Sequence, residues 1–305
     1  MSHPWSSSTA GELFAAVVAE HVRRTEQRVP AALSDEPDGV HRLRTAVRRL
    51  RTVLTVYRPV FGKREADALR DRLTVLGDLL GEVRDLEVRI ADVDAVGAGA
   101  RVSVEARRHL VDDLTRRHDA AHRRLVEWLN GPEMADLTAA LVRWVADPPR
   151  GPKADDPARK VARRRLDKAV AKALRTAEDV DLERLSTASG DELEDLSAAA
   201  HRLRKAGRRV SHAARAVTRK PTRALGGTAR ELGAAGQRVQ STLGDHRDAF
   251  QLAAHVTAVA DAVADDGGDR GPYDRLARAA ARRGAEHLDT AREAVERLRE
   301  VASGR

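Results

Sequence analysis

Apolar residues recur every three or four positions along almost the whole chain, and an alternation of period two persists nowhere. A chain patterned this way hides its hydrophobic surface as stripes on helices, so the fold class is all-α. Prolines and glycines cut the pattern into segments. The spacing predicts a first helix over about 9–28, stopped near Pro30, and a second over about 34–58, with Ser34 as N-cap and Pro59 as stop. A long third helix follows over about 63–96, ending at Gly97 and Gly99. A fourth spans about 102–129 and carries a short helical appendage to Val145. Residues 146–157, ADPPRGPKADDP, read as a connector between domains. The rhythm then restarts, with helices over about 158–178, 190–219, 223–266 and 272–302. The expected division is 1–150 and 151–305, four helices in each half.

The restart is also a repeat of residues. Val40-His41-Arg42-Leu43-Arg44-Thr45-Ala46-Val47-Arg48-Arg49 aligns with Ala200-His201-Arg202-Leu203-Arg204-Lys205-Ala206-Gly207-Arg208-Arg209. Leu80-Gly81-Glu82-Val83-Arg84-Asp85 aligns with Leu243-Gly244-Asp245-His246-Arg247-Asp248 at nearly the same offset. Two matched blocks in the same order point to an internal duplication of a four-helix unit.

Charge is segregated along this framework. The chain is net +8, with 55 Lys and Arg against 47 Asp and Glu. Residues 41–51 and 201–223 contain no acid at all, and 158–175 contain Asp167 alone among many Lys and Arg, so the remainder is net acidic. Like charges on one helix without acidic partners three or four residues away cost stability, and a polyanionic ligand is the simplest compensation.

At about 100° per residue, Val40, Leu43, Val47, Leu50, Leu54 and Tyr57 share one face of the second helix. His41, Arg44, Arg48 and Arg51 share the adjoining face, with Arg42 and Arg49 further round. In the second copy, Ala200, Leu203, Gly207, Val210, Ala214 and Val217 point inward, a smaller-residued face that another helix can approach closely. His201, Arg204 and Arg208 lie alongside, with Lys205 and His212 near the edge of the same strip. A run of arginines is ordinarily a solvated helix face. Here the missing acids, the repeated histidine phase and the duplication argue for a binding surface. Guanidinium forks one turn apart suit a linear polyphosphate or a nucleic-acid backbone, and a neighbouring histidine gains charge beside a polyanion.

The HRLRTAVRRLR block, its partner HRLRKAGRR and the two LGxxRD-like blocks resemble the CHAD domain, an α-helical domain named for its histidines. The resemblance implies two four-helix bundles related by a pseudo-twofold axis, whose basic helices line a central groove that binds inorganic polyphosphate without catalysis. Carried over by position, it makes His41, Arg44, Arg48, Arg49 and Arg51 ligands in the first half. His201, Arg204, Lys205, Arg208 and Arg209 are their counterparts, with Arg84 and Arg247 in support. Charge alone adds Lys160, Arg163 and Arg164. The stretch Val210-Ser211-His212-Ala213 departs from the bulkier pattern common in the family. Some members are fused to a triphosphate tunnel domain carrying Glu-x-Glu-x-Lys. The nearest approach here, Glu192-Leu193-Glu194-Asp195-Leu196, has Leu in place of Lys.

Other chemistries find less support. With no cysteine there is neither a disulfide nor a thiolate site. Eight aromatics are too few for a base-stacking platform. Gly226-Gly227 and Gly267-Gly268 form no phosphate-cradling loop. His118 and His122 have the spacing of a metal-binding pair but no HExxH, and read as an exposed polar helix face. No cofactor and no metal are therefore expected. The competing functions are a histidine phosphotransfer bundle, with His41 as acceptor, and a basic DNA-binding protein. The acidic remainder of the chain disfavours DNA. The first residues show no secretory leader and no segment is apolar enough to span a membrane, so a cytoplasmic protein at polyphosphate granules is expected.

Overall fold

The computed structural model describes Trp5 and residues 8–304. The N-terminal residues read above for a leader lie partly outside them. Among the described residues the order is α1 (Ala10–Glu26), α2 (Val29–Leu33), α3 (Gly39–Val56), α4 (Lys63–Gly99), α5 (Val104–Asn130), α6 (Pro132–Ala146), α7 (Ala158–Glu178), α8 (Gly190–Thr218), α9 (Gly227–Asp265) and α10 (Gly271–Ser303), with no named strand. The fold is all-α, and no helix is long and apolar enough to cross a membrane.

Helix ends follow local chemistry. Thr9 and Glu12 form a capping box at α1: the Glu12 amide donates to Thr9 Oγ1 at 3.3 Å, and the Thr9 amide donates to Glu12 Oε2 at 2.8 Å. Ser103 caps α5 through the Ala106 amide. Two boundaries differ from the sequence reading. Pro30 does not simply end a helix but sits in the first turn of the short α2, where its missing N–H costs nothing, and Ser34 becomes the C-cap of α2. The chain then passes through Asp35 and Asp38, both left-handed at φ 50° and 60°, before α3 starts at Gly39. Likewise Arg223, at φ 45°, belongs to the turn that precedes α9.

The inward faces pack as their spacing dictates. In α3, Val40, Leu43, Val47, Leu50 and Leu54 are fully or almost fully buried, and Tyr57, just after the helix, is 0% exposed. Its ring stacks on Phe14 of α1 with centroids 3.9 Å apart, and its hydroxyl donates to the Ala213 carbonyl of α8 at 3.0 Å. The C-terminal end of α3 is thereby fastened to the C-terminal part of α8. The small inward face of α8 receives α9 at very short range: a Cβ on Gly207 would lie 2.9 Å from the Gly236 carbonyl, and one on Gly236 would lie 2.8 Å from the Gly207 carbonyl.

Residues 147–157 do not hang free between the halves. The Ala10 and Gly11 amides donate to the Asp156 and Ala154 carbonyls at 2.8 Å each, and the Ala158 amide donates to Ser8. On the other side the Gly62 amide donates to Pro149, and those of Gly151 and Lys153 donate to Val60 and Pro59. One hydrophobic core runs from α1 to α10.

Close backbone approach at the α8–α9 crossing leaves no room for a branched side chain. Gly207→Val is expected to lower the unfolding free energy by about 1–3 kcal/mol, read from urea denaturation, because overpacking forces the helices apart.

Candidate functional site

Where α3 and α8 lie side by side, their polar faces turn toward a cavity of about 590 Å³ that is also walled by α4. Arg44, Arg48 and Arg51 enter it from α3, and His201, Arg204, Lys205, Arg208 and Arg209 from α8. Arg247 reaches in from α9. An adjoining cavity of about 360 Å³ shares Arg44, Arg48, Arg204 and Arg247 with the first and adds His41 and Arg84, so the two are lobes of one groove. The residues that sequence alone assigned to two separate helices thus face a common space.

Glycines make that space. A Cβ at Gly77 of α4 would meet Arg51 Nη1 at 2.8 Å, and one at Gly81 would meet Arg44 Nη2 at 3.4 Å. At the matching position of α9, a Cβ on Gly244 would meet Arg204 Nη1 at 3.4 Å. Gly77 thus makes room for Arg51, while the glycine of each LGxxRD-like block borders directly on a guanidinium of the facing helix. The aspartate of the first block then holds it: Arg44 Nη1 donates to Asp85 Oδ1 at 3.0 Å. Asp248 exerts the same attraction on Arg204, although burial pushes its own pKa up.

Few carboxylates neutralise the rest. Among the described residues, Arg48, Arg51, Arg204, Lys205, Arg208, Arg209 and Arg247 have no carboxylate oxygen within 4 Å. Glu82, on the wall, is taken by Arg124 at 2.5 Å. The buried Nε atoms of Arg48 and Arg204 have no hydrogen-bond partner. Burial and neighbouring guanidinium groups press the arginines toward neutrality, to about 10 at Arg48 and about 9 at Arg208, each repelling the other. His201 is held down to about 4 by burial and by Lys205 and Arg204, and His41 is lowered by burial and Arg84. The smaller lobe is electrically mixed, since Asp85, Asp92, Asp245 and Asp248 line it. The larger lobe is the cationic one.

Four candidates lie elsewhere. Arg49 is about 100° round α3 from Arg48 and lines a third, smaller cavity on the far side. His212 lies there with it rather than at the edge of the α8 strip, and is 4% exposed. Lys160 and Arg164 line a shallow cavity beside Pro59 and Lys153, and Arg163 is exposed on the same helix. The cause is the phase of α7, whose Val161, Ala162, Leu166 and Val170 face the core and turn its basic side outward. Conversely, the groove contains Arg70, Thr52 and Thr55 in its large lobe and Arg283 and His287 in its small one. Arg283 and His287 do stand four residues apart on α10, but nothing in the repeat marks them.

His118 and His122 are not a solvated face. His118 is buried, the two rings stack with centroids 6.1 Å apart, and His122 Nε2 is bonded to the Ala32 carbonyl at 2.9 Å. Asp35 and Glu87 bring oxygens within 4.8 Å of a His118 nitrogen. Glu87 is itself held by Arg84 at 2.6 Å, so the cluster is largely occupied by internal partners.

Comparison with known proteins agrees with this architecture. A protein from Mycobacterium tuberculosis strain H37Rv, the uncharacterized protein Rv2226, is 30% identical over 85% of this chain and 48% of its own length. This chain thus spans about half the length of the curated relatives it matches. Among solved structures, the CHAD domain from the plant Ricinus communis superposes with a TM-score of 0.70 at 21% identity, covering 97% of this chain and 94% of that one. PptA from Streptomyces chartreusis superposes with a TM-score of 0.64 at 18% identity, covering 96% and 99%. The family model of the CHAD domain matches residues 16–257, a span that contains both basic helices and both LGxxRD-like blocks, and the chain belongs to the CHAD domain family.

Proposed function

We propose that the groove binds inorganic polyphosphate and that the protein acts as a non-catalytic binding module for it. The observation that carries this reading is the set of unpaired guanidinium groups from α3 and α8 around one cavity. Buried charge without a partner is costly, and a chain of phosphates supplies an anion to every turn of both helices at once. Membership of the CHAD family carries the same expectation. A cavity of about 590 Å³ open to solvent accepts several linked phosphates where a single small anion would leave most forks unused. A cytoplasmic place at polyphosphate granules is part of this proposal.

The phosphotransfer alternative calls for a lone reactive imidazole. His41 instead sits at the rim, where burial and the neighbouring Arg84 and Arg48 lower its pKa. The DNA alternative calls for a broad convex or extended basic surface, while these arginines line a recess walled by α4 and α9.

Two outcomes follow from the geometry. For a single-stranded polyanion the log–log salt slope of binding is about −0.7 per phosphate contacted. Arg48→Ala with Arg208→Ala is expected to flatten that slope by about 1.4 and weaken polyphosphate binding at least about tenfold, with circular dichroism unchanged. Lys160→Ala with Arg164→Ala leaves both quantities as they were. Titrations with polyphosphate, short duplex DNA and ATP side by side decide the ligand class, and equal affinity for DNA would overturn the proposal.

The second outcome concerns pH. His201 is neutral in the free protein, with its pKa held to about 4, and bound phosphates raise that value by replacing repulsion with attraction. Binding therefore takes up protons, so affinity rises as pH falls from 7 toward 5. Kd measured at the two pH values at fixed ionic strength checks the sign, and His201→Gln should reduce the dependence.

A further inference from the structure

We infer a second, separate site for one compact tetrahedral oxyanion of the phosphate class, in the small cavity between α1, α3 and α8 that Thr52 and His212 divide from the groove. It is lined by His21, Arg24, Arg49, His212, Arg215 and Arg219, drawn from all three helices. Glu20 is the acid on its wall, and Arg23 and Arg24 already engage it at 2.8 and 2.6 Å. Among the described residues, Arg49, Arg215 and Arg219 have no carboxylate oxygen within 4 Å. The buried Nε of Arg49 and the buried Nδ1 of His21 have no hydrogen-bond partner.

Burial and neighbouring cations hold Arg49 to about 10 and His21 to about 4, and lower Arg215, so the cluster is under repulsion that Glu20 relieves only at the α1 edge. Some exposed arginines of this chain instead pair with an acid one turn away, as Arg116 does with Asp113. The cavity holds about 40 Å³, where one water needs about 10–15 Å³. One phosphate-sized group fits; an extended polymer does not. The wall between the two sites is thin: Thr52 lines the groove, His212 lines this cavity, and Thr52 Oγ1 lies 3.3 Å from His212 Nδ1.

Inorganic phosphate titrated into the full chain, with chloride matching the ionic strength, is the test. The readout is the side-chain 1H–15N resonances of His21, His212 and Arg49, recorded with and without polyphosphate filling the groove. Saturable shifts of these signals are expected in both conditions. Arg49→Gln and, at the exposed mouth, Arg219→Gln should each weaken the phosphate Kd, the former about tenfold or more. Arg48→Ala with Arg208→Ala should leave it in place. Resonances that do not move with phosphate, or that move only when the groove arginines are intact, would overturn this site. Failure of polyphosphate to bind the groove would overturn the other reading alone.

Discussion

Positive charge held at half-buried depth, with its natural counter-charge left out, is the constraint around which this molecule is arranged. A guanidinium tolerates such a position better than an ammonium, because its charge is spread and weakly hydrated. Even so, the arginines of α3 and α8 repel one another across the groove. Favourable packing elsewhere has to hold the two helices in that relation. The Phe14–Tyr57 stack, the bond from Tyr57 to Ala213 and the glycine crossing of α8 with α9 do this, all on faces turned away from the groove. The connector's hydrogen bonds to α1 and to the turn after α3, with the Ala158 amide on Ser8, hold the start of α7 against α1.

Each central helix therefore serves three surfaces. Leu43, Val47 and Leu50 of α3 face the core, Arg44, Arg48 and Arg51 face the groove, and Arg49 faces the smaller cavity. On α8, Leu203 and Val210 face inward, Arg204 and Arg208 face the groove, and His212 and Arg215 face the small cavity. Adjacent arginines in a sequence such as Arg48-Arg49 point about 100° apart, so a doublet that reads as one dense charge is divided between two sites.

Much of this was legible beforehand, and the reasons are specific. Helix period and the glycine and proline breaks give the elements because no strand pairing competes with them. The strip residues were legible because the acids are missing from exactly the turns that build the groove wall, and because the blocks recur. What escaped was whatever depends on neighbours far away in sequence. Ser34 has the chemistry of an N-cap, yet Asp35 and Asp38 at positive φ delay α3 by a turn. Lys160 and Arg164 have the right charge on a helix whose apolar phase faces them outward. His212 lies in a basic run, but its contact with Thr52 on α3 places it beside the small cavity. Arg70 and Arg283 reach the groove from helices with ordinary mixed charge, so no local pattern could single them out.

The placement of acids carries more of the functional information than the placement of bases. Basic residues are everywhere in this chain, and several on its outer surface are answered locally: Arg23 by Glu20, Arg270 by Asp274, Arg297 by Glu300 and Arg299 by Glu296, each within one helical turn. Such exposed pairs contribute little to stability, but they leave a surface with no lasting field. Along the groove walls that answer is largely withheld: Asp85 bonds Arg44 and attracts Arg48 and Arg204 from farther off. Asp85 fixes the angle of one fork without cancelling the strip, since the neighbouring Arg48 and Arg208 remain unpaired. On the proposed reading, it is the withheld counter-charge that selects a polyanion, because one ligand meets unpaired cations from both helices at once.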